Sequence, residues 1–221
     1  PREGGPPVTE DAPLGFGLWP IWDHYTRSKV EAERLLWRLH HDRGLPLTII
    51  RPSWLFGERD RTTIARLVGR IREGHFPLIG PGDNPLSAID ASEVADAAIL
   101  AAQAPGSVGD AYNITDQGAI TQRQFLETLA DLCGAPAPKS SVNYDLAFFV
   151  ALGFEALGKA RRDPAPPVLT RYATWLMGRR VSYSTVKARE KLGWWPKSDY
   201  RTSLERAVRW FDDQSKDGAP S

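Results

Sequence analysis

Tyr25 and Lys29 stand four residues apart in the run His24-Tyr25-Thr26-Arg27-Ser28-Lys29, at the head of a long amphipathic stretch. On a helix, that spacing puts both side chains on one face. A free tyrosine titrates near ~10, too high for proton transfer at neutral pH, but a neighbouring ammonium stabilises the phenolate and brings it toward the working range. Such a pair can give a proton to, or take one from, the oxygen of an alcohol or carbonyl compound. Spacing alone is weak evidence, because six Tyr and seven Lys in 221 residues give roughly 0.2 chance pairs per chain. Tyr183 and Lys187 repeat the spacing, so context has to choose between the two pairs.

The elements around the first pair are legible. Val30, Leu35, Leu36 and Leu39 continue an apolar stripe at helical spacing to about Arg43, and Gly44 ends it. Leu47-Thr48-Ile49-Ile50-Arg51-Pro52 then reads as a short strand, apolar enough to be buried on both faces. A helix is expected from Thr62 or Thr63 to Gly74, and short strands within 76–79 and 86–89 flank the turn Pro81-Gly82-Asp83-Asn84. Ser92 is read as the cap of an alanine-rich helix to about Gln103, and residues 111–115 as a second core strand. Thr121-Gln122-Arg123-Gln124 is a capping box opening a helix to Leu132, and Thr202-Ser203-Leu204-Glu205 has the same form. Between them, the apolar run 144–157 falls short of the ~20 residues needed to span a bilayer and is read as a buried or substrate-lining helix. Contact with a membrane surface is the lesser alternative. Asp163-Pro164-Ala165-Pro166-Pro167 follows, then an aromatic helix with Tyr172, Trp175 and Met177.

The order of these features resembles the extended short-chain dehydrogenase/reductase superfamily, that of the NAD-dependent epimerases and dehydratases. The resemblance runs from Tyr25-x-x-x-Lys29 through the strand ending in Arg51-Pro52 to Gly57, then through the loop Pro77-Leu78-Ile79-Gly80-Pro81-Gly82. It continues in Ser92-Glu93-Val94-Ala95-Asp96-Ala97, in Gly109-Asp110-Ala111-Tyr112-Asn113-Ile114, and in Lys187 to Trp194 with Pro196 and Trp210 beyond. Within the superfamily the chain is most similar to the 3β-hydroxysteroid dehydrogenase-like branch.

This resemblance implies an α/β fold: the C-terminal part of a Rossmann-like doubly wound parallel sheet, with a mostly helical substrate-binding region. Residues 1–133 would form the C-terminal half of the dinucleotide-binding domain, with substrate-side segments interleaved at about 54–90, and 134–221 the substrate-binding region. Tyr25 would move the proton of the substrate oxygen, and Lys29 would also hold the nicotinamide ribose of NAD or NADP. Pro52 and Ser53 would face the cofactor, whereas Arg51 would be structural. Tyr183 and Lys187 would belong to a helix packed on the substrate domain. The implied substrate is a small molecule, a hydrophobic, steroid-like secondary alcohol or ketone. A nucleotide-sugar epimerase or dehydratase is the first alternative, with Arg59 and Arg61 meeting a diphosphate. A catalytically inert fragment or dinucleotide-fold binding protein is the second. The resemblance also allows a homodimer through the Tyr25 helix.

Composition sets further bounds. A net charge of +1 gives no support for a nucleic-acid partner, and the arginine bias among 28 basic residues fits composition as well as any phosphate site. The single Cys133 excludes an internal disulfide or a cysteine metal cluster and is read as a structural thiol. His24 and His75 have no evident partners, and no metal site is expected; Glu93 and Asp96 are read as capping or solvating a helix start. No signal or membrane-spanning segment is visible, which reads as a cytoplasmic protein. The 19 glycines hold no dinucleotide-binding fingerprint: Gly15-Phe16-Gly17 and Gly106-Ser107-Val108-Gly109 are partial matches only. No serine precedes Tyr25 and no methionine opens the chain. The expectation is a truncated chain whose full-length form carries about 100 or more further N-terminal residues. Alone it is expected to be inactive and poorly stable.

Overall fold

The computed structural model describes residues 4–14, 24–61, 63–74, 76–116, 120–161, 167 and 169–216. Gly15-Phe16-Gly17, Thr62, His75, Val168 and the run Asp163-Pro164-Ala165-Pro166 lie outside the described residues. The strands are β1 (Thr48–Pro52), β2 (Trp54–Phe56), β3 (Leu78–Ile79), β4 (Ala88–Asp90), β5 (Asp110–Ile114) and β6 (Ser141–Val142). The helices are α1 (His24–Arg43), α2 (Thr63–Arg72), α3 (Ala91–Gln103), α4 (Gln122–Leu132), α5 (Tyr144–Arg161), α6 (Arg171–Gly178), α7 (Val186–Leu192) and α8 (Tyr200–Lys216).

Every described strand pair is parallel, so each needs a crossover, and helices supply it. β1 pairs with β5 from Thr48 opposite Asp110 to Pro52 opposite Ile114. β2 pairs with β4, and β3 with β6. On the far edge of β5, the Asn113 N–H donates to the Glu10 carboxylate at 2.8 Å. Thr48 to Arg51 are half-buried rather than buried on both faces as expected. The reason is that Ile49, Ile50 and Arg51 border an open cavity, and among the described residues β1 has a strand on one edge only.

Helix starts follow capping chemistry, with two corrections. Asp60 accepts the N–H groups of Thr63 and Ile64 at 2.9 and 3.2 Å and fixes the start of α2. The Thr121/Gln124 capping box forms as expected. Ser92 does not cap α3: its N–H and hydroxyl both donate to Asp90, the residue that ends β4 and caps the helix. The charged carboxylate is the stronger acceptor for both bonds. Likewise α8 opens two residues before Thr202, whose N–H is taken by Asp199 at 3.1 Å.

Two apolar clusters form. The larger joins Phe56, Val68, Leu78, Leu86, Phe125, Leu129 and Leu204, gathered from α2, α4, α8 and the strands between them. The smaller packs Ile89, Ala97, Tyr112, Ile114 and Leu192 around Trp194, which is 2% exposed. The indole N–H of Trp194 donates to the Glu93 carbonyl at 3.1 Å. Glu93 itself is buried rather than solvating the helix start, because its carboxylate accepts from Ser198 and from the Lys197 N–H. Asp96 is exposed.

Of the two readings of α5, buried or substrate-lining, the buried one does not hold, and the helix borders the cavity. Only Ala147 and Ala151 are buried, while Phe149 is 68% exposed. Apolar residues surround the helix, so one side lines the cavity and another faces outward. No described helix is long and apolar enough to cross a membrane.

Candidate functional site

Helix α1 carries Tyr25 and Lys29 on its first turns, and none of its residues is buried. Tyr25 is 60% exposed. The Lys29 ammonium stands 5.5 Å from the centroid of the Tyr25 ring, as the four-residue spacing requires. From the opposite side of the cavity, Tyr172 of α6 meets Tyr25 edge to face, with centroids 5.7 Å apart.

One turn beyond Lys29, Glu33 receives Arg51 of β1 through two guanidinium nitrogens, Nε at 3.1 and 3.2 Å and Nη2 at 2.5 Å. Arg51 also donates to the Glu10 carbonyl at 2.9 Å. This charge-assisted fork fixes α1 against the strand end, so Pro52 and Ser53 are held beside the Tyr25 helix. The Ser53 N–H donates to Ile114 at 3.0 Å. Its hydroxyl oxygen is buried and has no hydrogen-bond partner among the described residues. A buried hydroxyl left unpaired costs free energy, so this position is suited to a ligand group.

Tyr25, Lys29, Pro52 and Ser53 all line one cavity of about 2090 Å³. That is larger than the ~300–1,000 Å³ usual for a single small ligand. Leu146, Val150 and Phe154 of α5 and Tyr172, Trp175 and Leu176 of α6 supply an apolar wall. α6 is held at both ends. At its start, Arg171 donates to Glu155 of α5 through its main-chain and side-chain N–H groups, each at 2.8 Å. At its end, the Met177 carbonyl accepts from the buried amides of Asn84 and Gln122 at 2.6 and 2.7 Å. Gly178 closes the helix against Tyr144 and Ile79, where an added Cβ would come within 2.6 Å of the Tyr144 ring.

The second Tyr/Lys pair is separated. Tyr183 precedes α7, bridges to Val8 and borders the same cavity, where burial pushes its phenol up, away from neutral-pH proton transfer. Lys187 faces the other way, 2.5 Å from Asp110 and 5.5 Å from the Tyr112 ring centroid. α7 therefore packs on β5 and α3, not on the substrate side as expected, because Asp110 at the head of β5 draws in Lys187 and Lys191.

Arg59 and Arg61 are likewise outside the cavity wall. Arg59 has a positive φ of 71° and pairs with Glu58, and Arg61 lies over the Trp210 ring. The wall takes its guanidiniums from Arg51, Arg66, Arg70, Arg171 and Arg179. The four-residue spacing of Arg66 and Arg70 was the available signal. His24 borders the cavity, Cys133 caps the C-terminus of α4 half-buried with its thiol pushed up by burial, and no described cluster of residues could hold a metal ion.

Residues 5–115 match the NAD dependent epimerase/dehydratase family, and the chain belongs to it. It is similar to a 4-hydroxy-2-methyl-3-oxo-4-farnesyl-3,4-dihydroquinoline-1-oxide ketoreductase of Stigmatella aurantiaca, at 27% identity over 82% of this chain and 54% of the relative. The decarboxylating sterol-4-alpha-carboxylate 3-dehydrogenase of Mus musculus is 30% identical over 95% of this chain and 59% of its own. The chain thus spans about half the length of the curated relatives it matches. In fold it is similar to UDP-glucuronic acid 4-epimerase from Bacillus cereus in complex with NAD, with a TM-score of 0.67 at 18% identity, over 96% of this chain and 57% of that one.

Proposed function

We propose that the protein bearing this chain is an NAD(P)-dependent oxidoreductase that interconverts a hydrophobic, steroid-like secondary alcohol and its ketone. The observation that carries this reading is the convergence of Tyr25, Lys29, Pro52 and Ser53 on one cavity whose opposite wall is apolar and aromatic. The family and the reductase and dehydrogenase names of its relatives support it. The residues present suit the nicotinamide half of the cofactor, since the unpaired Ser53 hydroxyl offers a polar contact beside Lys29. When bound, the nicotinamide gives or takes hydride at its C4 carbon.

The chain's own residues do the rest. The Tyr25 phenol donates its proton to the substrate oxygen in reduction and recovers it in oxidation. Lys29 supplies positive charge beside the Tyr25 ring, and its three N–H donors would hold ribose hydroxyls. Ser53 and the backbone fixed by Pro52 orient the carboxamide. The α5 and α6 wall offers apolar surface to the hydrocarbon body of the substrate. In this division residues 1–133 serve the nicotinamide side, with 54–90 interleaved, and 134–221 the substrate side.

The test is a panel assay following absorbance of the reduced nicotinamide, in the longest form of the protein that carries these residues. Turnover of hydroxysteroids or similar alcohols that falls at least ~10² in Tyr25→Phe supports the reading. Full turnover in Tyr25→Phe, lost instead in Tyr183→Phe, overturns the choice of pair. A nucleotide-sugar epimerase or dehydratase is the second reading, favoured by the guanidiniums in the wall. Turnover of UDP- or dTDP-sugars without net change of the nicotinamide would select it.

A further inference from the structure

The cavity wall is apolar but not neutral. Two carboxylates border it, and both are engaged: Glu33 by Arg51 and Glu155 by Arg171. Arg66, Arg70 and Arg179 border the same space, and none of them has a hydrogen-bond or ion-pair partner among the described residues. Arg66 and Arg70 stand one turn apart on α2, beside Leu67 of the core. Arg72, on the side of the helix that meets α8, is by contrast paired with Asp212 of α8 at 2.8 Å. On α2, the unpaired guanidiniums are those that border the cavity.

We propose that Arg66 and Arg70, with Arg179, form a subsite for an anionic oxygen group, a carboxylate or a phosphate monoester, carried by an otherwise apolar substrate. The proposal rests on the hydrophobic-substrate reading above and narrows it to amphiphilic acids. Guanidiniums on adjacent turns present several N–H donors in a fork that matches two oxygens of one such group. Arg66 is exposed and Arg70 and Arg179 are half-buried, so solvent screens part of their attraction and salt should weaken it. The apolar wall takes the hydrocarbon body, and the charge fixes which end faces α2. An anchored end leaves the reacting carbon at a set distance from Tyr25, which selects one hydroxyl among several on a large molecule.

The test uses the longest form of the protein that carries these residues and needs no added cofactor. Decanoate, decyl phosphate and decanol are titrated by calorimetry, with uridine diphosphate as a fourth probe. At least one alkyl anion should bind about tenfold or more tightly than decanol, the usual scale for a charge-assisted contact. The order of decanoate and decyl phosphate distinguishes the two anion classes. The preference should vanish in R66Q/R70Q, survive in R66K/R70K and shrink in 0.5 M salt on the unaltered chain, a measurement that does not depend on a variant folding. Equal binding of decanol and both anions overturns the subsite while leaving the apolar cavity standing. So does a preference that persists in R66Q/R70Q. Uridine diphosphate binding more tightly than either alkyl anion overturns it in favour of a nucleotide. Failure of all four probes to bind overturns both the subsite and the hydrophobic reading beneath it.

Discussion

Tyr25 and Tyr172 meet with ring centroids 5.7 Å apart and an interplanar angle of 65°, joining the first helix to the aromatic helix across the cavity. Edge-to-face pairs of this kind contribute about 0.5–1.5 kcal/mol beyond area burial. In the proposed mechanism Tyr172 would position Tyr25 without itself reacting. Replacing it with alanine should lower kcat by up to about tenfold with little change in the pH profile. Tyr172→Phe, which keeps the ring, should restore most of the loss. A steady-state comparison of the two variants checks this, and equal losses would show that the hydroxyl matters more than the ring.

Lys29→Ala should raise the KM for the nicotinamide cofactor and lower kcat together, because the proposed roles of the ammonium concern both the ribose and the Tyr25 phenol. Tyr25→Phe should leave cofactor KM nearly unchanged. A variant pair with the opposite pattern would separate Lys29 from the cofactor.

Gly178→Ala places a methyl group within 2.6 Å of the Tyr144 ring and 2.8 Å of Ile79. Backbone or ring must move, and overpacking of this kind costs about 1–3 kcal/mol. The expected result is a lower denaturation midpoint together with altered tryptophan fluorescence, since Trp175 sits on the displaced helix. An unchanged midpoint would mean that Tyr144 gives way freely.

Asp110 sets an acid limit. Burial raises its carboxyl, but hydrogen bonds and charge from Lys187 and Lys191 outweigh this and hold it below its ordinary value. The carboxylate therefore contributes its full stabilisation above about pH 4 and loses it as pH falls through the lower folded value. Asp90 has the same sign: burial is outweighed by Ser203, Ser92 and Arg206. Urea melts from pH 7 down to 3 should show the loss, and Asp110→Asn should be less stable at pH 7 and flatter in its acid dependence. A variant with the parent's full acid slope would exclude Asp110 as its source.

Titrating the 221-residue chain with NAD(H) or NADP(H) should give weak binding. Its glycines include no dinucleotide fingerprint to hold a pyrophosphate at a helix N-terminus. Micromolar affinity by calorimetry would contradict this.

The sequence was most readable where local chemistry decides structure. The Tyr25 helix, the turn at Gly44 and the Thr121/Gln124 box needed only spacing and capping rules. Ser92 and Thr202 were misread as caps because a carboxylate two or three residues upstream accepts their own N–H groups and the helix begins earlier. The role of Glu93 was hidden because its partners lie over a hundred residues away, at Lys197 and Ser198. Arg59 and Arg66 could not be told apart by composition; only the placement of α2 turns one outward and the other toward the cavity.

The two amide bonds to the Met177 carbonyl have a consequence for evolvability. Because α6 is anchored through its backbone at one end and through Arg171 at the other, Trp175 and Leu176, which line the cavity between those anchors, can vary, whereas Thr174 is buried and Tyr172 meets Tyr25. Exchanging Trp175 or Leu176 would recut the binding space while the scaffold stayed in register. New substrate ranges can then arise by single replacements on one helix, without a compensating change in the sheet.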